Sequence, residues 1–346
     1  MIKKNLFFTF LLFLLQSFSN FALFQLDTSK KHSVCIVVPA YNEEKRIART
    51  LETYVAYFRT IPYLNVTLLV VANNCSDNTV PLCKGLQKKY KEIQLLNLIP
   101  GGKGFAVKRG FEEALKTKYD LIGFVDADMA TEPQYFHDII LETHNHDGAI
   151  ASRYCKGANL TAARPFLRKI SGKMFNWVIQ KRFKFKFNDT QCGAKIFTYD
   201  TIAAVVPDMV ENKWYFDIEL LYLCTLNHKD IVEIPTTWED QPGSHLKLNG
   251  ALIKEFINGQ GRVLKRHKKK AQQCLKETKN QKKQILLAKK EQRKAKKAAA
   301  QQKRAQKKEQ SQAQRKAKKE KQLLEKKRKQ ESKSVSKNAT CPQVAL

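Results

Sequence analysis

Closely spaced cysteine pairs are missing from this sequence. None of its eight cysteines has the CxxC spacing that is common in zinc sites and redox motifs. Several cysteines lie within apolar runs, which is typical of buried thiols. These features argue against a disulfide framework or a zinc site and favour a reducing compartment. The cysteines occupy positions 35, 75, 83, 155, 192, 224, 274 and 341.

Acidic residues are also scarce. The chain has 32 Asp and Glu against 63 Lys and Arg, a net charge of +31. Residues 265–346 contribute +24 of this, and the remaining residues +7. This tail has too few Leu and Ile for a coiled-coil seam, so we expect a solvated helix or a disordered extension. Anionic lipid or nucleic acid could attract it, but without aromatic residues its nucleic-acid binding would be salt-sensitive and independent of sequence.

The first residues combine positive charge with an apolar run. Lys3 and Lys4 precede a mostly apolar stretch from Leu6 to Phe24, a pattern typical of a signal peptide or a signal anchor. We favour an uncleaved anchor, because Asn20 is a poor residue two positions before the possible cleavage site at Ala22. The predicted organisation is an anchor or signal segment (1–29), a catalytic domain (30–264) and a Lys-rich tail (265–346).

From residue 33 onward, apolar strands alternate with amphipathic helices, which predicts an α/β fold with a mainly parallel sheet covered on both faces. The first helix is expected to have Asn42 as its N-cap and Glu43 and Glu44 in its first turn. The predicted strands span 33–40, 65–72, 93–98, 120–128, 148–154, 189–198 (a loop followed by a strand) and 230–240. The predicted helices span 42–58, 76–90, 104–117, 163–185, 214–227 and 250–267.

Two aspartates lie at the end of the fourth predicted strand, in the stretch FVDADMATEP. If the extended backbone continues, Asp126 and Asp128 share one face, where their like charges raise each other's pKa. A divalent cation would remove this repulsion, because hard cations prefer carboxylate oxygens. The alternative is an ordinary surface turn, in which Asp is common.

A glycine-containing loop precedes the third predicted helix, in the stretch PGGKGFAVKRG. Its backbone amides could face a phosphate at the helix N-terminus, and Lys103 adds positive charge. The stretch lacks the order of a Walker loop, and Val107 occupies the place of the third glycine in a dinucleotide fingerprint.

Three further segments carry polar groups at predicted strand ends. A turn with Tyr41 could stack against an aromatic ligand, and the stretch ANNCSDNT could hydrogen-bond a base or simply cap a helix. A set of cations follows the carboxylates: Arg153, Arg164, Arg168 and Lys173. Taken together, these segments suggest a nucleoside diphosphate held by a metal, with a second anion nearby.

Eight segments of the sequence resemble, in order, the motifs of the family 2 glycosyltransferases over residues 33–260: VVPAYNEEKRI, ANNCSDNT, GGKGFAVKRG, FVDADMAT, ASRY, DTQCGAKIF, WYFDIELLY and TTWEDQPGSHLKL. Within the family they look most like dolichyl-phosphate glucosyltransferases, and next like polyprenyl-phosphate mannosyltransferases. The resemblance implies an A-type glycosyltransferase fold and an inverting transfer from a nucleotide sugar, with a divalent metal such as Mg or Mn.

The resemblance also implies roles for individual residues. Asp126 would face the ribose and the metal, and Asp128 would be the main metal ligand. Asn73 could pair with the base, although many family members have aspartates where this chain has Ala72 and Asn73, which makes a preference for uracil less secure. The other residues expected on the nucleotide-sugar side are Pro39, Tyr41, Glu43, Asp77, Lys103 and Gln191.

On the acceptor side, the resemblance implies that Arg153 meets an acceptor phosphate. Asp217 matches an acceptor-side motif, and it is the candidate general base if the acceptor is instead a sugar hydroxyl. Asp217 and Glu219 could alternatively serve only the dipole of their helix. Further acceptor-side residues are Arg168, Lys173, Trp214, Ser244 and Lys247.

The leading interpretation is transfer of glucose from UDP-glucose to a polyprenyl phosphate at a membrane surface, with the catalytic domain facing the cytoplasm. A phosphate acceptor is already an anion, so it needs cations to bind it and no general base. The alternatives are mannose transfer from GDP-mannose, transfer to a saccharide hydroxyl and, in another class, a protein that binds nucleic acid through its basic tail. We do not expect nucleic acid to be the main partner.

Overall fold

The structure is a computed structural model that describes residues 27–160, 166–239 and 250–337. The apolar N-terminal stretch that we predict to be an anchor lies at 1–26, outside the described residues. Among the residues that are described, no helix combines the length and the apolar character needed to cross a membrane.

Nine strands and nine α-helices are described. The strands are β1 (His32–Ala40), β2 (Leu64–Asn73), β3 (Ile93–Leu98), β4 (Leu121–Val125), β5 (Gly148–Ser152), β6 (Asn159–Leu160), β7 (Ala194–Thr198), β8 (Ile231–Pro235) and β9 (Thr237–Trp238). The helices are α1 (Ile47–Arg59), α2 (Thr79–Lys89), α3 (Lys103–Thr117), α4 (Pro133–Leu141), α5 (Phe166–Phe183), α6 (Tyr199–Val205), α7 (Phe216–Leu226), α8 (Gly250–Arg266) and α9 (Lys268–Lys337).

Seven of the strands form one sheet in the order β3-β2-β1-β4-β7-β5-β8. All neighbouring strands are parallel except β7, which is antiparallel to both β4 and β5. The prediction of a mainly parallel sheet is therefore confirmed. The strand order changes direction between β1 and β4, and parallel α/β sheets bind ligands at the carboxyl ends of the strands near such a point.

Alternating residues of β1 enter two different cores, as the period of a strand requires. Val34, Ile36 and Val38 pack with α1 and α4 on one face of the sheet. Cys35 and Val37 pack with α3, α6 and α7 on the other face. Both faces of the sheet are thus covered, which explains why the strand is a continuous apolar run in the sequence.

The first helix begins later than its sequence predicts. It starts at Ile47, and Asn42 has a left-handed φ of 54°, so Asn42 is not its N-cap and no acidic residue lies in its first turn. The reason is a contact between loops: the side chain of Asn42 accepts a hydrogen bond from the Ser76 backbone N–H (2.8 Å), and Glu44 accepts one from the Asn78 N–H (3.0 Å). These polar groups cap the neighbouring loop instead of their own helix.

The fourth strand is shorter than its sequence predicts, because it ends at Val125. Asp126 and Asp128 therefore lie in the following turn, and the prediction that an extended strand continues through both residues is wrong. Asp128 Oδ1 accepts a hydrogen bond from the Ala130 N–H (3.0 Å), and Met129 has a φ of 61°. A side-chain-closed turn of this kind ends the extended backbone. The last predicted strand is likewise divided, into β8 and β9.

The chain divides into two compact units, of which the first ends at Cys274 and the second begins at Leu275. The first residues of α9 belong to the first unit, where Lys270 pairs with Asp208 (2.5 Å). The second unit is described as the remainder of the α9 helix.

Candidate active site

Loops from four neighbouring strands meet at the carboxyl ends of the parallel sheet. The turn after β1 and the loop after β2 are joined by Asp77, whose two carboxylate oxygens accept hydrogen bonds from the Glu44 N–H (3.1 Å) and the Thr79 N–H (3.0 Å). Burial opposes ionisation of Asp77, but these hydrogen bonds lower its pKa. The two loops are therefore held together by an ionised side chain.

Tyr41 and Glu43, both in the turn after β1, differ in how accessible they are to a ligand. Tyr41 is half exposed and follows directly on β1, so its ring is accessible at the sheet edge. Glu43 is engaged with Arg46, which donates two hydrogen bonds of 2.7 and 2.8 Å to its carboxylate. Pro39 lies within β1 itself and is partly buried.

Asn73 connects the end of β2 to the glycine loop. It is buried, and its amide nitrogen donates a hydrogen bond to the Gly102 carbonyl (3.1 Å). Gly102 has a φ of 134°, and a Cβ at this position would collide with the carbonyl oxygen of Asn212. In this structure the Asn73 amide therefore positions the loop that begins α3.

The aspartate turn and the glycine loop are joined by an ion pair. Lys103, the first residue of α3, places its Nζ 2.5 Å from Asp126 Oδ1. Burial opposes protonation of Lys103, but the carboxylates of Asp126 and Asp217 raise its pKa above the usual value. The site thus has a fixed cation next to its first carboxylate.

The carboxylates of this turn fit a metal ion. Asp126 Oδ1 is buried and, among the described residues, accepts no hydrogen bond of normal geometry; Lys103 approaches it as an ion pair. Burial and the charge of Asp126 raise the pKa of Asp128 above its usual value. A divalent cation would relieve both conditions. No cluster of three or more His, Cys, Asp or Glu suited to a metal was found in the described part of the chain, so any such ion would need ligands from elsewhere, such as a phosphate.

The Asp126 backbone is fixed by β7 and its flanking residue. Its N–H donates a hydrogen bond to the Gly193 carbonyl (2.9 Å). The side-chain carboxylate lies so close to the Gly193 Cα that a Cβ there would collide with it. Gly193 is therefore required for the position of Asp126, which the sequence pattern did not reveal.

Two residues of α1 form hydrogen bonds to the backbone of the aspartate turn. Thr50 Oγ1 donates a hydrogen bond to the Ala127 carbonyl (2.8 Å), between the two aspartates, and Tyr54 OH donates one to the Thr131 carbonyl (2.7 Å). Both side chains are fully buried. The sequence analysis missed them because they lie more than seventy residues from the turn and carry no motif.

Arg153 forms a bidentate ion pair with a buried carboxylate. Its Nε and Nη2 donate hydrogen bonds of 2.6 and 2.9 Å to the two oxygens of Asp189, which is completely buried. Burial opposes ionisation of Asp189, but Arg153 lowers its pKa. Glu233 of β8 in turn accepts the backbone N–H groups of Asn188 (2.9 Å) and Asp189 (2.7 Å). Arg153 is therefore rigid, and two of its three guanidinium nitrogens are engaged.

Asp217 is also paired with a residue that the sequence analysis did not identify. Its Oδ1 lies 2.5 Å from Nζ of Lys195, a fully buried residue of β7. Lys195 also donates a hydrogen bond to the Cys192 carbonyl (2.7 Å). Burial raises the pKa of Asp217, while Lys195 and Lys103 act in the opposite direction. Asp217 is thus one half of an internal ion pair.

Glu219 has a different role from its neighbour on α7. Its Oε2 accepts hydrogen bonds from the N–H groups of Val210 and Glu211 (2.7 Å each), and its Oε1 is 2.8 Å from His267 Nε2. Burial opposes ionisation of Glu219, but these contacts lower its pKa. The side chain therefore stabilises the loop in front of α7.

The remaining predicted residues lie around this centre or outside the described residues. Gln191 donates its N–H to Asp189 Oδ1 (3.1 Å), and Trp214 is exposed two residues before α7 begins. Lys173 borders a cavity of about 200 Å³ that Trp177 and Asn188 also line. Arg168 lies in α5, where its side chain is not described, and Arg164, Ser244 and Lys247 are outside the described residues.

Comparisons with known proteins identify what this chain is similar to. The model of glycosyl transferase family 2 matches residues 35–210. A dolichyl-phosphate beta-glucosyltransferase of Trichomonas vaginalis is 34% identical over 234 residues, which cover 64% of this chain and 68% of the relative. A dolichyl-phosphate beta-glucosyltransferase of Drosophila melanogaster is 31% identical over 235 residues, covering 64% and 71%.

A solved structure has a similar fold. Glucosyl-3-phosphoglycerate synthase from Mycobacterium tuberculosis, crystallised with Mn²⁺, uridine-diphosphate-glucose and phosphoglyceric acid, aligns with a TM-score of 0.50. The alignment covers 68% of this chain and 79% of that one at 14% sequence identity. At this identity the likeness establishes a shared fold.

Proposed function

Since the chain belongs to glycosyltransferase family 2 and has the A-type fold, we propose that it transfers glucose from UDP-glucose to a polyprenyl phosphate of the dolichyl type, with inversion at the anomeric carbon. The observation that carries the proposal is the similarity to dolichyl-phosphate beta-glucosyltransferases along 64% of the chain. Residues 35–210, which the family model matches, include the aspartate turn, the glycine loop and the Arg153–Asp189 pair.

The nucleotide sugar would bind at the carboxyl ends of β1, β2 and β4. Tyr41 is accessible for contact with the nucleoside, and Asp77 holds the loop beside it. The ammonium group of Lys103 lies next to Asp126, where it could also contact the diphosphate of a bound nucleotide. Asp126 and Asp128 would hold a divalent metal, Mg²⁺ or Mn²⁺, which as a Lewis acid would stabilise the departing nucleoside diphosphate. The solved structure with the similar fold was crystallised with Mn²⁺ and UDP-glucose.

The ion pair between Asp217 and Lys195 favours a phosphate acceptor. A sugar hydroxyl must lose a proton during transfer, so it needs a free carboxylate as general base. Although burial raises the pKa of Asp217, its carboxylate is already engaged by the Lys195 ammonium at 2.5 Å, so it is poorly placed to take a proton from an acceptor. A polyprenyl phosphate is already an anion and can attack without a base.

Arg153 is the cation that we assign to the acceptor phosphate. Its guanidinium is held by Asp189 through Nε and Nη2, so the group is oriented before any ligand binds. The contact with a phosphate oxygen would come from the guanidinium edge that faces away from Asp189. We also propose that the enzyme acts at a membrane surface with this domain in the cytoplasm, because nucleotide sugars are cytosolic and a polyprenyl chain resides in lipid.

The proposal is tested by assaying the purified full chain with labelled UDP-glucose or GDP-mannose, with and without polyprenyl phosphate and Mg²⁺ or Mn²⁺. We expect lipid-linked glucose only when UDP-glucose, the lipid phosphate and the metal are all present. Mannose transfer from GDP-mannose would show that GDP-mannose, and not UDP-glucose, is the sugar donor. Transfer that proceeds without lipid phosphate or without metal would contradict the mechanism.

A further inference from the structure

The cations of the α9 helix lie on one side of it. At 3.6 residues per turn, 19 of the 20 Lys and Arg residues between positions 275 and 326 fall within one half of the helix circumference. Lys316 is the exception. Glu277, Glu291 and Glu320 fall in the opposite half, whereas Glu325 lies among the cations. We call the half that contains the 19 cations the cationic face.

This arrangement is unfavourable for an isolated solvated helix. Cations three or four positions apart on one face repel one another and destabilise the helix. Spreading the same residues around the helix would reduce this repulsion at no loss of solubility. All of these cations are exposed, as are the other described side chains between 279 and 326. The one-sided charge therefore indicates a partner that carries negative charge along an extended surface.

Apolar residues lie on this face and at its edge. Leu275, Ile285 and Leu286 fall within the cationic half and are 55 to 56% exposed, and the exposed Leu287 and Leu323 lie just outside its boundary. Lysines adjacent to apolar side chains suit the boundary of a lipid bilayer, where the apolar groups approach the acyl region and the ammonium groups remain with the headgroups. No Phe, Tyr or Trp occurs between 268 and 337. The helix therefore lacks the stacking groups that proteins use on single-stranded nucleic acid.

We propose that the cationic face of α9 docks along the surface of an anionic lipid bilayer. The stretch from 275 to 326 is long enough, roughly 80 Å at 1.5 Å per residue, to lie across many headgroups. Positive side chains near such a surface are attracted within about one Debye length. The proposal concerns this surface alone, and its test needs neither sugar donor nor acceptor, so it can fail independently of the proposed transfer reaction.

The test measures how fast trypsin trims α9 in the full chain mixed with preformed vesicles. Vesicles of phosphatidylcholine alone are compared with vesicles that contain phosphatidylserine, at low and high KCl, after trypsin has been calibrated on a soluble substrate in each mixture. Trimming should be slower by about fivefold or more with the anionic vesicles at low salt, and this protection should disappear at high salt.

The matched control keeps the composition and net charge of the helix but removes its cationic face. Six cationic residues exchange places with neutral neighbours on the other side, and circular dichroism verifies that the helix content is unchanged. The paired substitutions are Lys283→Gln with Gln284→Lys, Lys290→Ala with Ala288→Lys, Lys294→Ala with Ala295→Lys, Lys303→Gln with Gln302→Lys, Lys307→Gln with Gln306→Lys, and Arg315→Ala with Ala313→Arg.

The exchanged variant should lose most of the protection by anionic vesicles. Equal protection of the two proteins would show that total charge suffices and would overturn the assignment of the face. No difference between anionic and neutral vesicles for the wild-type chain would overturn the lipid partner. Stronger protection by poly(U) RNA than by anionic vesicles at equal phosphate concentration would overturn it in favour of nucleic acid.

Discussion

The two units of the chain differ in where their charged residues lie and how they are paired. The first unit contains buried ion pairs, such as Arg153–Asp189 and Lys195–Asp217. In the second unit, cations outnumber acidic residues and are exposed on one face of a helix. Charges of the first kind act at short range in a low dielectric, and those of the second kind act together and are screened by salt. Substitutions should therefore have large, specific effects in the first unit and small, additive effects in the second.

The largest effect is expected at the aspartate turn. Asp128→Ala should lower glucosyl transfer by about a thousandfold, because it removes the carboxylate that we assign to the metal. The thermal midpoint should change little, since burial and the charge of Asp126 raise the pKa of Asp128 and so disfavour its ionised form in the folded protein. Transfer rate and melting temperature are measured on the same preparation. A variant with wild-type transfer would remove Asp128 from the metal site.

Breaking a buried pair should destabilise the first unit. Lys195→Met leaves Asp217 buried without its ammonium partner, which should lower the free energy of unfolding by about 3–5 kcal/mol. The double substitution Lys195→Met with Asp217→Leu should recover most of the loss, because no charge remains buried alone. Urea unfolding followed by circular dichroism measures both. If the double variant is as unstable as the single one, packing of Lys195 matters more than its charge.

The support from α1 should affect catalysis more than stability. Thr50→Val removes the hydroxyl that binds the Ala127 carbonyl between the two aspartates, and we expect about a tenfold lower kcat and a higher metal concentration for half-maximal rate. The matched control is Thr60→Val at the exposed end of the same helix, where the hydroxyl binds the Tyr57 carbonyl (2.7 Å). Equal effects of the two substitutions on the metal requirement would show that Thr50 does not position the turn.

The pH dependence of stability should separate a paired carboxylate from a solvated one. The pKa of Glu219 is lowered in the folded state, so its contribution to stability is present above its unfolded pKa of about 4.3 and is lost as the pH falls through the lower folded value. Glu219→Gln should therefore destabilise the protein most near neutral pH and progressively less below pH 4. Glu291→Gln on α9 should leave the unfolding free energy unchanged at every pH. If the unfolding free energies of the two variants depended on pH in the same way, the predicted difference between a paired and a solvated carboxylate would be wrong.

The smallest effect is expected for a single cation of α9. Lys294→Gln should change the melting temperature of the first unit by no measurable amount and should lower anionic-vesicle protection only slightly, because each exposed charge contributes weakly. Vesicle protection is compared with that of the six-pair exchange variant. A complete loss of protection from this one substitution would point to a specific pocket instead of a distributed face.

Much of the fold could be predicted from the sequence because local patterns determine it. Continuous apolar runs marked β1 and β2, and their alternation with helices indicated the parallel sheet. The start of α1 could not be predicted, because Asn42 and Glu44 bind a loop more than thirty residues away. The antiparallel direction of β7 also depends on contacts that no local pattern contains.

The same distinction applies to the site. The aspartates and the glycine loop carry recognisable motifs, so their proximity could be predicted from strand order. The partners that fix them could not be assigned in this way. Thr50 carries no motif, and Asp189, Gly193 and Lys195, although they lie within the DTQCGAKIF segment, contact the site residues only through the tertiary fold. Sequence patterns therefore identified side chains that are capable of binding or catalysis. The structure showed which of those side chains already form ion pairs or hydrogen bonds within the protein.

The anomeric form of the lipid product tests the central claim most directly. UDP-glucose carries an α-linked glucosyl group, and direct attack by a polyprenyl phosphate inverts that centre. The purified full chain, supplied with UDP-glucose, a polyprenyl phosphate and Mg²⁺ or Mn²⁺, should yield a β-linked glucosyl phosphate that NMR of the isolated lipid identifies. An α-linked product would contradict direct inversion, and glucose found only on water or on a sugar hydroxyl would contradict the phosphate acceptor.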